Sequence, residues 1–426
     1  MLHILEKSLM ATSFYRPTPG LLAALCLSLL NLISVPYAHA SEVAMPPASG
    51  SLVIIGGALR GDNAAVWQTI IQQAGGKGAK IAVIPAAAAN PERSGNASAA
   101  NLNRYGASAF VLPLSVKYTD RHVQEVARDP QWIEAIKQSN GVYFTGGDQG
   151  RIVQALMQKD GTRTPLLEAI WALYQRGGVI AGSSAGAAIM SSTMFYDAKA
   201  VLPTLQYGVT DGKEIADGLG FIGKQVFIDQ HLIIRGRFAR MLPVMLKKNY
   251  QLGLGIDENT AMLITNQNEV EIIGYKGAIL IDLSEAKTDA KEPRFNLSNA
   301  AISYLDRGDK FNLTSKVITP SADKLSGKVN PSLPASEEQR FYPDILANTT
   351  VADLLFHLID SRQQQAIGLA FGSSQEPLAE QGFEFKFSKN AESAGYYSSS
   401  SGAEAYTVMR IRLDIRPVKM QLPLYR

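Results

Sequence analysis

The chain has 426 residues, is 46% hydrophobic and carries 41 basic against 38 acidic side chains, a net charge of +3. That length and apolar content allow a sizeable core, in two or three domains or in one α/β domain with an extension. The near balance of charge, without long basic or acidic blocks, argues against a nucleic-acid partner.

In chain order, Lys7 and Arg16 precede an apolar run from Leu21 to Val35, and Ala38-His39-Ala40 follows as a small-residue cleavage site. The apolar stretch is short for a membrane span, so residues 1–40 are expected to be a signal peptide, cleaved after Ala40. The expected product is secreted, extracellular or periplasmic, with no membrane span after processing. The single cysteine, Cys26, falls inside this leader and follows the bulky Leu25, which argues against a lipid anchor. A mature chain without cysteine has neither disulfides, thiol catalysis nor thiolate metal sites.

From Gly50 short β-rich runs alternate with helical periods. Strands are expected at Ser51–Gly57, Lys80–Pro85, Phe110–Leu114, Gly141–Thr145 and before Gly182. Helices are expected at Ala64–Ala74, Val123–Lys137, Arg151–Gln158 and Leu166–Gln175. Such alternation predicts an α/β fold, a mostly parallel sheet with helices on both faces, whose ligands bind beyond the C-terminal strand ends. Further on come a strand ending at His231, a helix from about Arg235 to Lys248, and β-like runs at Leu252–Glu258, Ala261–Thr265 and Val270–Leu283. Residues 41–283 are therefore expected to form the catalytic domain and 284–426 an α+β C-terminal extension. Within the extension 285–340 is polar and expected to be loop-rich. A helix from Thr350 to Ser361 and an antiparallel pair, Phe383–Phe387 with Tyr406–Ile415, should pack on the core, joined by a mobile Ser393–Gly402 link. The extension is a candidate polymer-binding or dimer-forming module, so a homodimer stands among the expectations.

Gly182-Ser183-Ser184-Ala185-Gly186 is a G-x-S-x-G pentapeptide between an apolar strand and a small-residue helix. The two glycines make room for a tight turn that presents Ser184 as a nucleophile. Donors at the following helix start, Ala185 N–H, and in the Gly146-Gly147 turn, Gly147 N–H, are candidates to hold an oxyanion. The serine needs a base. Of five histidines, His3 and His39 leave with the leader, His122 sits in a polar helix start, and His357 lies in the apolar Leu354–Ile359. His231 ends a strand in a polar cluster and is the best candidate. An acid to orient it is offered by Asp257 or Glu258, between which the pattern alone does not choose. With one histidine in the cleft and no thiols, neither a metal nor a cofactor is expected. The order Ser, His, acid also differs from the Ser, acid, His order of α/β-hydrolases.

Gly146-Gly147-Asp148-Gln149, Gly182 to Ala187, Asp229-Gln230-His231 with Arg235, Arg237 and Arg240, and Gly255 to Ala261 together resemble cyanophycinase. These are serine peptidases of a family that also includes the α-aspartyl dipeptidases. The resemblance spans about residues 50 to 283 and implies a sheet like that of class I glutamine amidotransferases. It implies Ser184 as nucleophile, His231 as base and Glu258 as the third member. It further implies that Gln149, Asp229, Gln230, Arg235 and Arg240 contact substrate. The implied substrate is cyanophycin, a poly-aspartate carrying arginine, cleaved to β-Asp-Arg dipeptides; an aspartyl dipeptide is the alternative. Arginines suit such a substrate because their paired donors bind carboxylates. The other reading weighed is a binding protein that keeps the fold without catalysis.

Overall fold

The structure is a computed structural model that describes residues 49–330, 332–400 and 402–421. The expected leader and cleavage site lie outside the described residues. Five parallel strands form the heart of a nine-stranded sheet: β1 (Ser51–Ile55), β2 (Lys80–Ile84), β3 (Ser108–Val111), β4 (Gly141–Phe144) and β5 (Val179–Ser183). They lie in the order β3-β2-β4-β5-β1. Beyond β1 the sheet continues antiparallel through Thr260–Ile264, Glu269–Gly274, Lys310–Asn312 and Ile318–Thr319.

These strands read as unbroken apolar runs because both faces are covered. Val53 and Ile55 pack with Val66, Trp67 and Ile70 of the helix Ala64–Gln73, while Leu52 and Ile54 belong to a second core on the opposite face. The flanking helices start where side chains cap them. Asn63, Asn90 and Thr164 each accept from a backbone N–H three residues on, and Pro91 and Pro165 open their helices. Hydrophobic period does not foresee the helix Pro91–Arg104, because its buried stripe is Pro91, Gly95, Ala99 and Leu102. The single helix expected over Val123–Lys137 is two, Val123–Val126 and Pro130–Lys137. Asp129 caps the second and Pro130 interrupts the first.

A second, eight-stranded sheet holds the rest. Val226–Gln230 and Leu252–Ile256 pair in parallel at one edge. Ala278–Asp282, Leu297–Leu305, Ala405–Lys419, Gln381–Ser388 and Gln365–Ala370 follow antiparallel, with Ala394–Ser398 also on the long strand. Ile228, Leu254 and Leu280 share one core with Leu52, Ile54 and Ile180, so apolar side chains of both sheets meet there. The other face, with Phe227, Ile279 and Ile281, packs with the helices Met241–Lys248 and Thr350–Ile359 and with Phe383, Phe385 and Phe387. Each of those three buried rings contributes roughly 1.5 to 3 kcal/mol of burial.

Several expectations change. Val270–Leu283 is two strands in different sheets, Glu269–Gly274 and Ala278–Asp282. The polar stretch 285–340 contains the nine-residue strand Leu297–Leu305, and the Ser393–Gly402 link contains the strand Ala394–Ser398. Helix Thr350–Ile359 is preceded by Thr349 in the left-handed region, whose hydroxyl donates to Asp353 and caps no backbone N–H. Among the described residues no helix is long and apolar enough to cross a membrane.

Candidate active site

The C-terminal end of β5 turns sharply at Ser184, whose backbone adopts φ 55°, ψ −106°. A side chain in that region is strained by about 1 to 3 kcal/mol. The turn closes so tightly that a Cβ on Gly182 would lie 2.3 Å from Gly186 O, and one on Gly186 would lie 2.6 Å from Phe144 O. Glycine at both positions is thus a steric requirement. The helix that follows, Ala185–Ala188, is a single turn. Its leading amides, rather than a long helix dipole, supply local positive potential. Ser183 stays in the strand with its side chain buried.

His231 arrives from the second sheet. It follows Val226–Gln230, has φ 52°, and donates its N–H to Gly56 O at the end of β1 (2.9 Å). Its ring lies over Gly57, where a Cβ would fall 2.4 Å from Nε2. Gly57, at the end of the expected strand Ser51–Gly57, is a site residue to which the sequence assigns no role; its adjacency to Gly56 at a strand end is the available signal. The imidazole Nε2 is 2.8 Å from Ser184 Oγ and its Nδ1 is 2.6 Å from Glu258 Oε1. The carboxylate the pattern left open is therefore Glu258. Asp257 points elsewhere: its Oδ1 accepts Ile234 N–H at 3.0 Å and its side chain is buried, with Lys276 Nζ 3.4 Å away.

Electrostatics suit a base. Burial holds the His231 pKa below its ordinary value of 6.5; the Glu258 bond opposes this and nearby Arg235 reinforces it. The ring is accordingly neutral near pH 7 and able to accept the serine proton. Burial tends to raise the Glu258 pKa, but the His231 bond and Arg235 outweigh it and keep the carboxyl ionised.

The other expected contacts divide. Arg235 is half exposed at the rim and reaches Glu258 Oε1 at 3.3 Å. Gln149 opens the helix Gln149–Leu156 and donates Nε2–H to Phe195 O at 2.6 Å. Gln230 is buried and accepts Arg237 Nη1 on its backbone oxygen (3.0 Å) and on Oε1 (3.4 Å). Asp229 and Arg240 depart from the expectation of direct substrate contact. Arg240 Nε and Nη2 donate to the two Asp229 oxygens at 2.7 and 2.6 Å, both side chains are buried, and the guanidinium lies over the Phe195 ring. Two charges buried this deeply neutralise each other, because an unpaired one would be costly. Arg237, part of the same motif but without an implied role, is a further functional candidate. Burial, with Arg240 beside it, pushes its pKa down to about 10, leaving it cationic at neutral pH.

Gly147 lies beside Ala87: a Cβ there would fall 2.1 Å from Ala87 O, and φ is 142°. It thereby brings the Gly146-Gly147 turn to the elbow, where a Cβ on Gly146 would lie 3.2 Å from Ser184 Cβ. Among the described residues no group of three or more His, Cys, Asp or Glu is arranged to hold a metal ion.

The profile of peptidase family S51 matches residues 52–273, more than half the chain. The chain belongs to peptidase family S51. A cyanophycinase of Trichormus variabilis is 28% identical over 301 residues, covering 68% of this chain and 94% of the relative. A cyanophycinase of Geminocystis herdmanii is 29% identical over 276 residues, covering 62% and 93%. A crystal structure of a peptidase from an acI-B1 actinobacterium aligns with 22% identity and a TM-score of 0.44, over 63% of this chain and 98% of that one. This S51 peptidase is a serine peptidase with an α/β fold and additional C-terminal strands.

Proposed function

We propose that this S51 peptidase hydrolyses cyanophycin to β-Asp-Arg dipeptides through an acyl-enzyme on Ser184. The observation that carries the reading is the unbroken contact line from Ser184 Oγ to His231 Nε2 and from His231 Nδ1 to Glu258, with Arg235 on the same carboxylate. Ser184 attacks the scissile carbonyl while His231 takes its proton, and Glu258 stabilises the imidazolium. The N–H groups of Gly147 and Ala185 hold the oxyanion. His231 then protonates the leaving amine, and water repeats the sequence to release the acid. Arg235 and Arg237 bind substrate carboxylates, and Gln149 and Gln230 its amides.

The relatives named cyanophycinase support the polymer over an aspartyl dipeptide. Export belongs to the same reading: cleavage after Ala40 leaves Ser41 as the mature N-terminus and suits scavenging of released polymer. The test incubates mature protein with insoluble cyanophycin and weighs the soluble products. Dipeptides of Asp and Arg are expected. Free arginine, or cleavage of aspartyl dipeptides with the polymer untouched, would overturn the substrate assignment.

A further inference from the structure

The family match ends at residue 273, yet the loop that follows the base is fastened from beyond it. After His231 the chain leaves the sheet through Leu232 to Gly236. One side of this loop is held by the matched region: Leu232 N–H donates to Ile256 O at 3.2 Å and Ile234 N–H to Asp257 Oδ1 at 3.0 Å. The other side is held by the C-terminal region. Thr349 N–H donates to Ile233 O at 3.1 Å. Gly236 is left-handed, with φ 56° and ψ 28°, and a Cβ there would lie 1.8 Å from Leu346 O. No other residue fits that approach without movement.

The holding segment is itself fixed. Tyr342 N–H donates to Ile367 O and Ile345 N–H to Leu369 O, at 3.0 and 2.8 Å, so 342–345 is laced to the strand Gln365–Ala370. Ile345 is fully buried against Gly368. Next along the loop, Phe238 meets Phe385 edge to face at 5.8 Å.

We propose that Leu346–Thr349 is a positioning strap for catalysis, holding the Ile233–Gly236 turn so that Arg235 stays on Glu258 and His231 stays between Ser184 and Glu258. This rests on His231 being the general base. The charged and titratable groups facing that imidazole are Ser184, Glu258, Arg235 and Arg237. Arg235 and His231 share one oxygen, Glu258 Oε1. When the strap slackens and Arg235 withdraws, Glu258 acts on His231 alone and the imidazole keeps its proton to higher pH. A merely structural strap would alter the melting temperature and leave that titration where it was.

The test follows the His231 imidazole by NMR across pH in the full chain, the Gly236→Ala variant, and a variant with one glycine inserted after the exposed Asn348. Such a loop insertion is tolerated by the fold, so it decides the matter even where Gly236→Ala fails to fold. In folded variants the His231 midpoint is expected to rise, with the acid limb of kcat/KM moving in the same direction. An unchanged midpoint in a folded variant overturns the strap. The titration needs no turnover, so a parent protein that cleaves no substrate would count against the peptidase assignment alone.

Discussion

Two acid–base pairs, one in each region of the molecule, use similar ingredients for opposite ends. At the cleft, Glu258 holds His231 with its own side chain a quarter exposed. In the C-terminal region Asp309 holds Lys324 at 2.7 Å with both side chains fully sealed from water. Asp309 also accepts Thr407 Oγ1 and the N–H groups of Ser321 and Asp306, so every direction around it is occupied. Burial pushes its pKa up, with the Lys324 ammonium opposing that shift. At the cleft, by contrast, one nitrogen of the histidine faces a serine held in a strained turn. An open pair can exchange a proton with a third group, whereas a sealed pair joins the strand Ala405–Lys419 to the turn that carries Lys324. Partner exposure, more than residue type, separates catalysis from fastening.

Breaking the open pair should remove turnover and spare the fold. Ser184→Ala is expected to lower kcat by about 10⁶ with an unchanged melting temperature, since the side chain contributes little packing. Ser183→Ala should be far milder, and a dead Ser183 variant beside an active Ser184 variant would show the elbow misassigned. Glu258→Gln keeps shape but removes the charge behind His231, and about 10⁴ in kcat should go with it. Asp257→Asn, whose side chain bonds Ile234 N–H and faces Lys276 Nζ, should lose on the order of tenfold through positioning. Comparing kcat for the two amides separates their roles.

Breaking the sealed pair should do the reverse. Lys324→Met leaves Asp309 buried without its cation, and stability should drop by about 3 to 5 kcal/mol while kcat per folded molecule holds. Denaturant melts alongside active-site titration measure both. Loss of turnover without loss of stability would contradict the division drawn here. Smaller effects sharpen the cleft side. Arg237→Gln should raise KM, costing about 1.5 to 3 kcal/mol in kcat/KM, with little change in melting. With His231 as the proposed base, activity would require it neutral, and burial holds its pKa below 6.5. The acid limb of kcat/KM should therefore fall at a pH below 6.5, and a midpoint above it would mean that burial and Arg235 do not dominate.

Legibility in the sequence followed the same distinction. β1, β2, β4 and β5 and the elbow were readable because buried parallel strands and G-x-S-x-G leave local signals. His231 was reachable by elimination, since few histidines sit at strand ends. Depth left no such trace: the family resemblance implied substrate contacts at Asp229 and Arg240, and a string shows their charge but not that both are buried and paired. Leu297–Leu305 hid in a polar stretch because register shifts between Leu297 and Ala300, and between Ile302 and Tyr304, break its alternation. Ala394–Ser398 hid behind serine and glycine, although it pairs residue by residue with Ala405 to Met409. Gly57 and Gly236 needed the structure, because what makes them glycine is a ring and a carbonyl brought from far along the chain.

The most direct measurement of the central claim is fluorophosphonate labelling of the intact protein, with the adduct located by peptide mass. A single adduct on Ser184 is expected, slowed by orders of magnitude in Glu258→Gln and absent in Ser184→Ala. An adduct on another serine, or none while peptide hydrolysis continues, would contradict the assignment of Ser184, His231 and Glu258 as the working centre.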